Sequence, residues 1–133
     1  MKIVLDTNCL LIAVPGKSDY HCILSDFQKG RYTLYCSNDI FMEYEEMLMR
    51  FYPKKIAGNV LNFLFNSINL FWVTPYFQWT LITADPDDNK FADCALNAGA
   101  DYLVTNDQHF NVLNSLNFPP IKVINIETFK KML

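Results

Sequence analysis

Four carboxylates stand near predicted strand ends or helix starts, where an α/β protein collects its reactive groups. They are Asp6, Glu43, Asp88 and Asp107. Asp6 ends the apolar run Lys2–Leu5, and Asp107 follows the apolar run 102–105. Glu43 lies in the second turn of the helix after the second predicted strand, and Asp88 opens a later helix. Because functional groups gather beyond the carboxyl ends of parallel strands, all four acids can face one crevice.

The charge of such a cluster limits the chemistry it can perform. Four carboxylates in a small crevice repel one another unless they are protonated or neutralised by a cation. A set of oxygen ligands without His or Cys suits Mg²⁺ or Mn²⁺. One or two such ions would orient a phosphodiester, lower the pKa of a bound water and stabilise the leaving oxygen. The set predicts phosphodiester hydrolysis, although Asp6, Asp88 and Asp107 taken singly are also favoured helix N-caps.

Helical periodicity separates Asp88 from its neighbour Asp93. At about 100° per residue, Asp88 projects on the same side as the apolar residues Phe91, Ala92 and Ala95. Asp93 points away from them and is predicted to be solvated. Asp88 is therefore the expected inward acid of this helix.

The other acids near the four are less clearly separated. Glu43 and Glu45 flank opposite edges of the apolar stripe on their helix, so both stay open, whereas Glu46 lies outside the stripe. Asp85 and Asp87 precede the later helix in a turn-rich segment. An Asx turn is their expected role, with metal binding through water as the alternative.

The elements that must position these acids are short apolar runs alternating with helical patterns. Strands are predicted at 2–5, 32–36, 70–74, 101–105 and 121–124, and helices at 7 onward, 18–29, 38–51, 53–68, 89–98, 106 onward and at the C-terminus. Nearly unbroken apolar strands that alternate with helices indicate a parallel sheet covered on both faces. The predicted fold is α/β, a three-layer α/β/α sandwich whose central, mainly parallel sheet has about five strands.

Length and composition limit the class of protein. The 133 residues fit one domain spanning 1–133, and 51% hydrophobic residues provide ample core material. Because no apolar run approaches the roughly 20 residues that span a bilayer, a cytoplasmic protein without membrane contact is expected. The net charge of −3 argues against a generic nucleic-acid coat. The cysteines are expected to be buried reduced thiols; they are Cys9, Cys22, Cys36 and Cys94.

At the level of motifs, the chain resembles the PIN-domain family, and within it the toxin components of bacterial toxin–antitoxin systems, similar to VapC-type toxins. The resemblance covers essentially the whole chain. Its four ordered motifs are VLDTN at 4–8, SNDIFMEY at 37–44, DPDDNKF at 85–91 and ADYLVTND at 100–107. The first motif alone would be weak, and the order of all four makes the resemblance strong.

The resemblance implies a Mg²⁺- or Mn²⁺-dependent endoribonuclease with an RNA substrate. It places Asp6, Glu43, Asp88 and Asp107 in the catalytic and metal-binding roles, which favours Glu43 over Glu45. It also implies that neighbouring polar groups support these acids; they are Thr7, Asn8 and Thr105. In the toxin branch a cognate protein antitoxin commonly blocks the crevice, and homodimers often form through the early helices.

Rival functions find less support. A phosphatase with an aspartyl nucleophile needs Asp-x-Asp, but Asp6 is followed by Thr7 and Asn8. A receiver-like signalling domain would need an aspartate at the third strand, which the sequence lacks. A non-catalytic PIN-like module that binds RNA or protein, and a housekeeping RNA-processing nuclease, remain the alternatives.

Aromatic and histidine residues close to the motifs are given structural roles. Tyr76, Phe77 and Trp79 could stack on bases, but burial in the core or under a partner is expected. His21 and His109 are not expected to be catalytic, because a purely acidic site does not require imidazole.

Overall fold

The computed structural model describes residues 1–76, 80–82, 86–115 and 120–133. Within these ranges the strands are β1 Lys2–Leu5, β2 Thr33–Cys36, β3 Leu70–Trp72, β4 Tyr102–Val104 and β5 Val123–Ile124. The helices are α1 Thr7–Ala13, α2 Cys22–Gln28, α3 Asn38–Phe51, α4 Lys54–Phe65, α5 Asn89–Ala98 and α6 Ile126–Met132. Two 3-10 segments, Pro86–Asp88 and Gln108–Ser115, flank the fourth strand and its preceding helix.

The five strands form one sheet in the order β3-β2-β1-β4-β5, and every neighbouring pair is parallel. In the register of the central strand, Ile3 lies opposite both Leu34 and Tyr102. All carboxyl ends therefore lie along one edge of the sheet. The predicted parallel α/β sheet of about five strands is confirmed.

Helices cover both faces of this sheet. Successive side chains of a strand point to opposite faces, and Ile3, Val4 and Leu5 of β1 are all at most 1% exposed. From α3, Ile40 and Tyr44 are fully buried in the same core. The architecture is thus the expected three-layer sandwich, and the edge that carries Asp6 lies between helical layers.

Local signals explain where the functional helices begin and end. Ser37 caps α3, because its side-chain oxygen accepts a hydrogen bond from the Ile40 N–H at 3.3 Å. Gly99 ends α5 in the left-handed conformation, with φ of 63°, which glycine adopts without the steric cost of a side chain. Both boundaries agree with the sequence prediction.

Several predicted elements are too long. The helix predicted at 18–29 begins only at Cys22, and the one predicted to reach residue 68 ends at Phe65. Asn69 explains the second difference, because its side chain donates hydrogen bonds to the carbonyls of Phe27 in α2 and of Tyr32 just before β2, and so fixes the chain there. Ile68 is left 96% exposed.

The four cysteines are unpaired, as expected. Cys9, Cys36 and Cys94 are buried, and burial raises the pKa of each thiol to about 12. These thiols therefore stay protonated at neutral pH and are poor metal ligands. Cys22 departs from the expectation because it is only half-buried. Over the part of the chain that the structure describes, no helix is both long and apolar enough to span a membrane.

Candidate active site

Asp6 lies at the carboxyl end of the central strand and is almost completely buried, with 6% exposure. Its backbone N–H donates to the Val104 carbonyl at 2.9 Å, which continues the pairing of β1 with β4 by one residue. Its carboxylate Oδ2 accepts a hydrogen bond of 2.7 Å from the Thr105 hydroxyl. Sheet pairing and this side-chain contact together fix the position of the carboxylate.

Thr105 links two of the sequence-predicted acids through one buried hydroxyl. Its Oγ1 donates to Asp6 and accepts a hydrogen bond of 3.0 Å from the Asp107 N–H. The residue is 3% exposed, so neither bond competes with bulk water. The hydroxyl thus holds the end of β1 against the segment that follows β4.

Glu43 reaches the same region from α3. Its Oε2 accepts a hydrogen bond from the Thr7 hydroxyl at the start of α1. The next residue, Tyr44, is fully buried and donates its phenolic hydrogen to the Leu5 carbonyl at 2.5 Å, which docks α3 onto β1. Glu45 is exposed. The geometry therefore brings Glu43, and not Glu45, toward the end of β1.

Lys90 is a charged member of this cluster that sequence reasoning missed. Its Nζ lies 2.8 Å from Glu43 Oε1 and 3.1 Å from Asp87 Oδ2. Burial works to lower the Lys90 pKa, but its hydrogen bonds to the two carboxylates outweigh burial and raise the pKa above its ordinary value. The ammonium thus stays charged. Asp87, expected in an Asx turn, forms an ion pair from an exposed position.

Asp88 and Asp107 meet on the other side of the site. Ligand atoms of Asp88, Asp107 and His109 all lie within 4.8 Å of one another. Both acids are half-buried, and His109 is exposed. The His109 N–H donates to Asp107 Oδ1 at 2.9 Å, and its ring Nδ1 lies 3.5 Å from the same oxygen. The structure therefore brings to the acids a histidine that was not expected to be catalytic.

The electrostatics of Asp6 connect the two sides. Burial is the largest cause that raises its pKa, and the charges of Glu43 and Asp107 raise it further. Hydrogen bonds from Thr105 and the Thr7 backbone lower it, without offsetting the rise. A buried carboxylate beside two other acids is stabilised in its ionised form by a hard cation. These acids therefore offer oxygen ligands of the kind that a hard divalent cation prefers.

Two surface grooves border the acids. One, of about 820 Å³, is lined by Glu43, Asp87 and Lys90 among others. The second, of about 490 Å³, is lined by Thr105 and Asp107 among others. Asn8 is not brought to either groove, because it is exposed on α1 beside an apolar surface that includes Phe51.

The prediction that Asp93 is solvated is wrong, since its exposure is 7%. Asp93 belongs to a polar stripe of α5 that also contains Asn89 and Asn97. The Asn89 side chain forms hydrogen bonds of 2.8 and 2.9 Å with the N–H and carbonyl of Ile82, and Asn97 Oδ1 accepts from the Tyr76 N–H at 3.2 Å. The segment before α5 therefore covers this stripe, and the stripe is kept from solvent although its residues are polar.

Other candidates from the sequence are only partly described. Phe77, Trp79 and Asp85 lie outside the described residues. Tyr76 is 85% exposed, so it does not lie in the core, and its burial under a partner stays a prediction. His21 contacts the Ala13 carbonyl through Nδ1 at 2.9 Å.

Three solved structures from two named systems share the fold of this chain. A chain of VapBC2 from Rickettsia felis bound to a DNA fragment from their promoter matches with a TM-score of 0.66 and 19% identity, covering 94% of this chain and 98% of that chain. A chain of FitAcB from Neisseria gonorrhoeae matches with a TM-score of 0.58 and 16% identity, covering 94% of this chain and 98% of that chain. A chain of FitAB bound to the IR36 DNA fragment matches with a TM-score of 0.59 and 14% identity, covering 93% of this chain and 94% of that chain. At these identities the likeness shows the fold alone.

The sequence itself identifies the family. No curated protein matches the chain. The PIN domain family matches residues 2–109, a span that contains all four candidate acids together with Thr105 and Lys90. The resemblance inferred from the four motifs is therefore confirmed, and the chain belongs to the PIN domain family.

Proposed function

We propose that this protein is a metal-dependent endoribonuclease that hydrolyses RNA phosphodiester bonds, and that it is the toxin of a toxin–antitoxin pair. The carboxylate cluster carries the proposal: buried Asp6 feels the charges of Glu43 and Asp107, and Asp88 reaches Asp107. Family membership over residues 2–109 supports a nuclease, since the resemblance implies one. The fold match to VapBC2 and FitAB chains supports the toxin assignment.

In this proposal Asp6, Glu43, Asp88 and Asp107 hold Mg²⁺ or Mn²⁺. The ion would supply an activated water and stabilise the leaving oxygen. The protein supplies the orientation of the acids. Thr105 fixes Asp6 against the Asp107 backbone, and the Thr7 hydroxyl fixes one oxygen of Glu43.

In the proposed reaction, Lys90 reduces the negative charge of the acidic groove. An RNA phosphate approaching several carboxylates is repelled unless cations balance them. The Lys90 ammonium already neutralises part of Glu43 and Asp87 in the protein alone. A local cation of this kind allows a chain with a net charge of −3 to accept RNA.

An antitoxin and a homodimer are the proposed protein partners. The apolar surface beside α1 and α3 supports a partner at the early helices, because Ile12 is 39% exposed and Phe51 is 61% exposed. Phe51, the last residue of α3, faces outward in the single chain. Light scattering of the purified protein at increasing concentration tests the homodimer.

RNA cleavage with matched variants tests the proposed enzyme. Asp6→Asn and Glu43→Gln should each lower the cleavage rate by about a hundredfold or more, because losing metal stabilisation of the transition state costs several kcal/mol. Glu45→Gln is the control, since Glu45 is an exposed neighbour on the same helix. EDTA should abolish cleavage, and added Mg²⁺ or Mn²⁺ should restore it.

Two results would contradict the enzyme assignment. Equal cleavage by wild type and Asp6→Asn would identify a contaminating nuclease. RNA binding without cleavage at any metal concentration would indicate the non-catalytic module. Growth arrest on expression in a bacterial host, lost in Asp6→Asn, distinguishes a toxin from a housekeeping nuclease.

A further inference from the structure

His109 is held beside Asp107 by the backbone as well as by its side chain. Its N–H donates to Asp107 Oδ1 at 2.9 Å, and this bond does not depend on the state of the imidazole. The ring Nδ1 lies 3.5 Å from the same oxygen. The turn that follows β4 therefore presents a carboxylate and an imidazole nitrogen to the same space.

Asp88 completes a three-residue group that spans two separate segments. Its ligand atom lies within 4.8 Å of those of Asp107 and His109. Two ligands bonded at about 2.1 Å to one octahedral ion lie about 3 Å apart when adjacent and about 4.2 Å apart when opposite. The 3.5 Å separation within the Asp107 and His109 pair falls between these values. The three ligand atoms are thus close enough to share one ion after side-chain rotation, and the His109 side chain is 50% exposed.

We propose that His109 is a protein ligand of the metal ion held by Asp88 and Asp107, and that it makes this site favour Mn²⁺ over Mg²⁺. The proposal rests on the proposed function only in taking these two acids as metal ligands. Imidazole nitrogen binds transition-metal ions well, whereas Mg²⁺ prefers carboxylate and water oxygens. His109 was not expected to be catalytic, and under this proposal it serves as a metal ligand.

Nitrogen spectroscopy of bound Mn²⁺ tests this assignment directly. The chain has two histidines, so a histidine ¹⁴N coupling to Mn²⁺ in electron spin echo spectra has two possible sources. We expect the coupling in wild type and in the control His21→Asn, whose ring contacts the Ala13 carbonyl. We expect its loss in both His109→Asn and His109→Gln. Circular dichroism establishes that each variant is folded.

Calorimetric titration of the same proteins tests the metal preference. His109→Asn should raise the Kd for Mn²⁺ about tenfold or more, as loss of even an outer partner of a metal site commonly does. The Kd for Mg²⁺ should change by less than about threefold, because Mg²⁺ gains little from imidazole. His21→Asn should leave both values unchanged.

The outcomes separate this proposal from the proposed nuclease. Mn²⁺ binding with a histidine coupling that disappears in the His109 variants, but without RNA cleavage, supports the ligand and overturns the enzyme. RNA cleavage with Mg²⁺, together with a Mn²⁺ spectrum that lacks a histidine coupling, supports the enzyme and overturns the ligand assignment. A coupling that persists in both His109 variants, equal Mn²⁺ affinity in wild type and His109→Asn, or no Mn²⁺ binding by wild type overturns the ligand assignment.

Discussion

Replacing Thr105 with valine removes the hydroxyl that joins Asp6 to the Asp107 backbone and leaves the shape of the side chain nearly unchanged. Thr105 is 3% exposed, so water cannot replace the lost donor and acceptor without rearrangement. The Asp6 carboxylate loses a hydrogen bond of 2.7 Å, and the Asp107 N–H loses its acceptor at 3.0 Å. Because valine fills the same volume, the effect measures polar contacts and not a cavity.

The expected destabilisation is about 2 to 3 kcal/mol when Asp6 is ionised. A hydrogen bond to a charged group contributes about 1.5 to 3 kcal/mol, and a neutral one about 1 kcal/mol. Partial protonation of Asp6 limits the loss, because the carboxyl group can give up its charge. At about 4 °C for each kcal/mol in a domain of this size, the midpoint of thermal unfolding should fall by about 8 to 12 °C.

The pH dependence of this destabilisation has a defined sign. The Thr105 hydrogen bond lowers the Asp6 pKa, while burial raises it above the ordinary 3.8 by a larger amount. The bond therefore stabilises the fold while Asp6 is ionised, and this contribution is lost as the pH falls through the raised pKa. The deficit of Thr105→Val should be large at about pH 8 and smaller at about pH 4.

Urea and thermal unfolding followed by circular dichroism, in EDTA, measure the effect. Thr105→Ser is the matched control, because it keeps the hydroxyl and should retain most of the stability. Equal stability of Thr105→Val and Thr105→Ser would refute the reasoning. So would a deficit of the valine variant that has the same size at both pH values, since the contribution would then not involve an ionised Asp6.

Three other predictions concern the metal-free protein. Lys90→Met should lower the free energy of unfolding in urea by about 1 to 2 kcal/mol, because Glu43 loses a partly buried counter-charge. The control Arg50→Met, at an exposed ion pair, should change the free energy of unfolding by less than about 0.5 kcal/mol. Equal effects of the two variants would contradict this prediction. Asp6→Asn should raise the midpoint of thermal unfolding. Because the pKa of Asp6 is raised in the folded protein, ionising this carboxyl group lowers the stability of the fold, starting above the ordinary pKa of 3.8 and reaching its full extent above the raised pKa. A lower midpoint of the variant at about pH 8 would count against this prediction. Asn89→Ala should speed hydrogen exchange of the Ile82 amide about tenfold, as its 2.8 Å acceptor is removed, and unchanged exchange would disprove the cover over α5.

Local sequence determined most of the elements and two members of the candidate site. Apolar runs predicted all five strands, and Ser37 and Gly99 marked helix boundaries through capping chemistry that involves only nearby residues. Asp6 and Asp107 could be placed because each follows a strand, and parallel strands end at one edge of the sheet. These predictions needed no knowledge of distant contacts.

Only the tertiary structure decided the partners of the acids. Thr105 lies 99 positions from Asp6, and Lys90 meets Glu43 across two helices. Periodicity predicted a solvated Asp93, but the chain before α5 covers that face. The side of a helix on which a residue lies follows from the local sequence. Whether that side is buried, and which charges it meets, depends on the distant segment that packs against it. The sequence alone therefore determined that carboxylates gather at this edge, and packing decided which hydroxyl, ammonium and imidazole stand beside them.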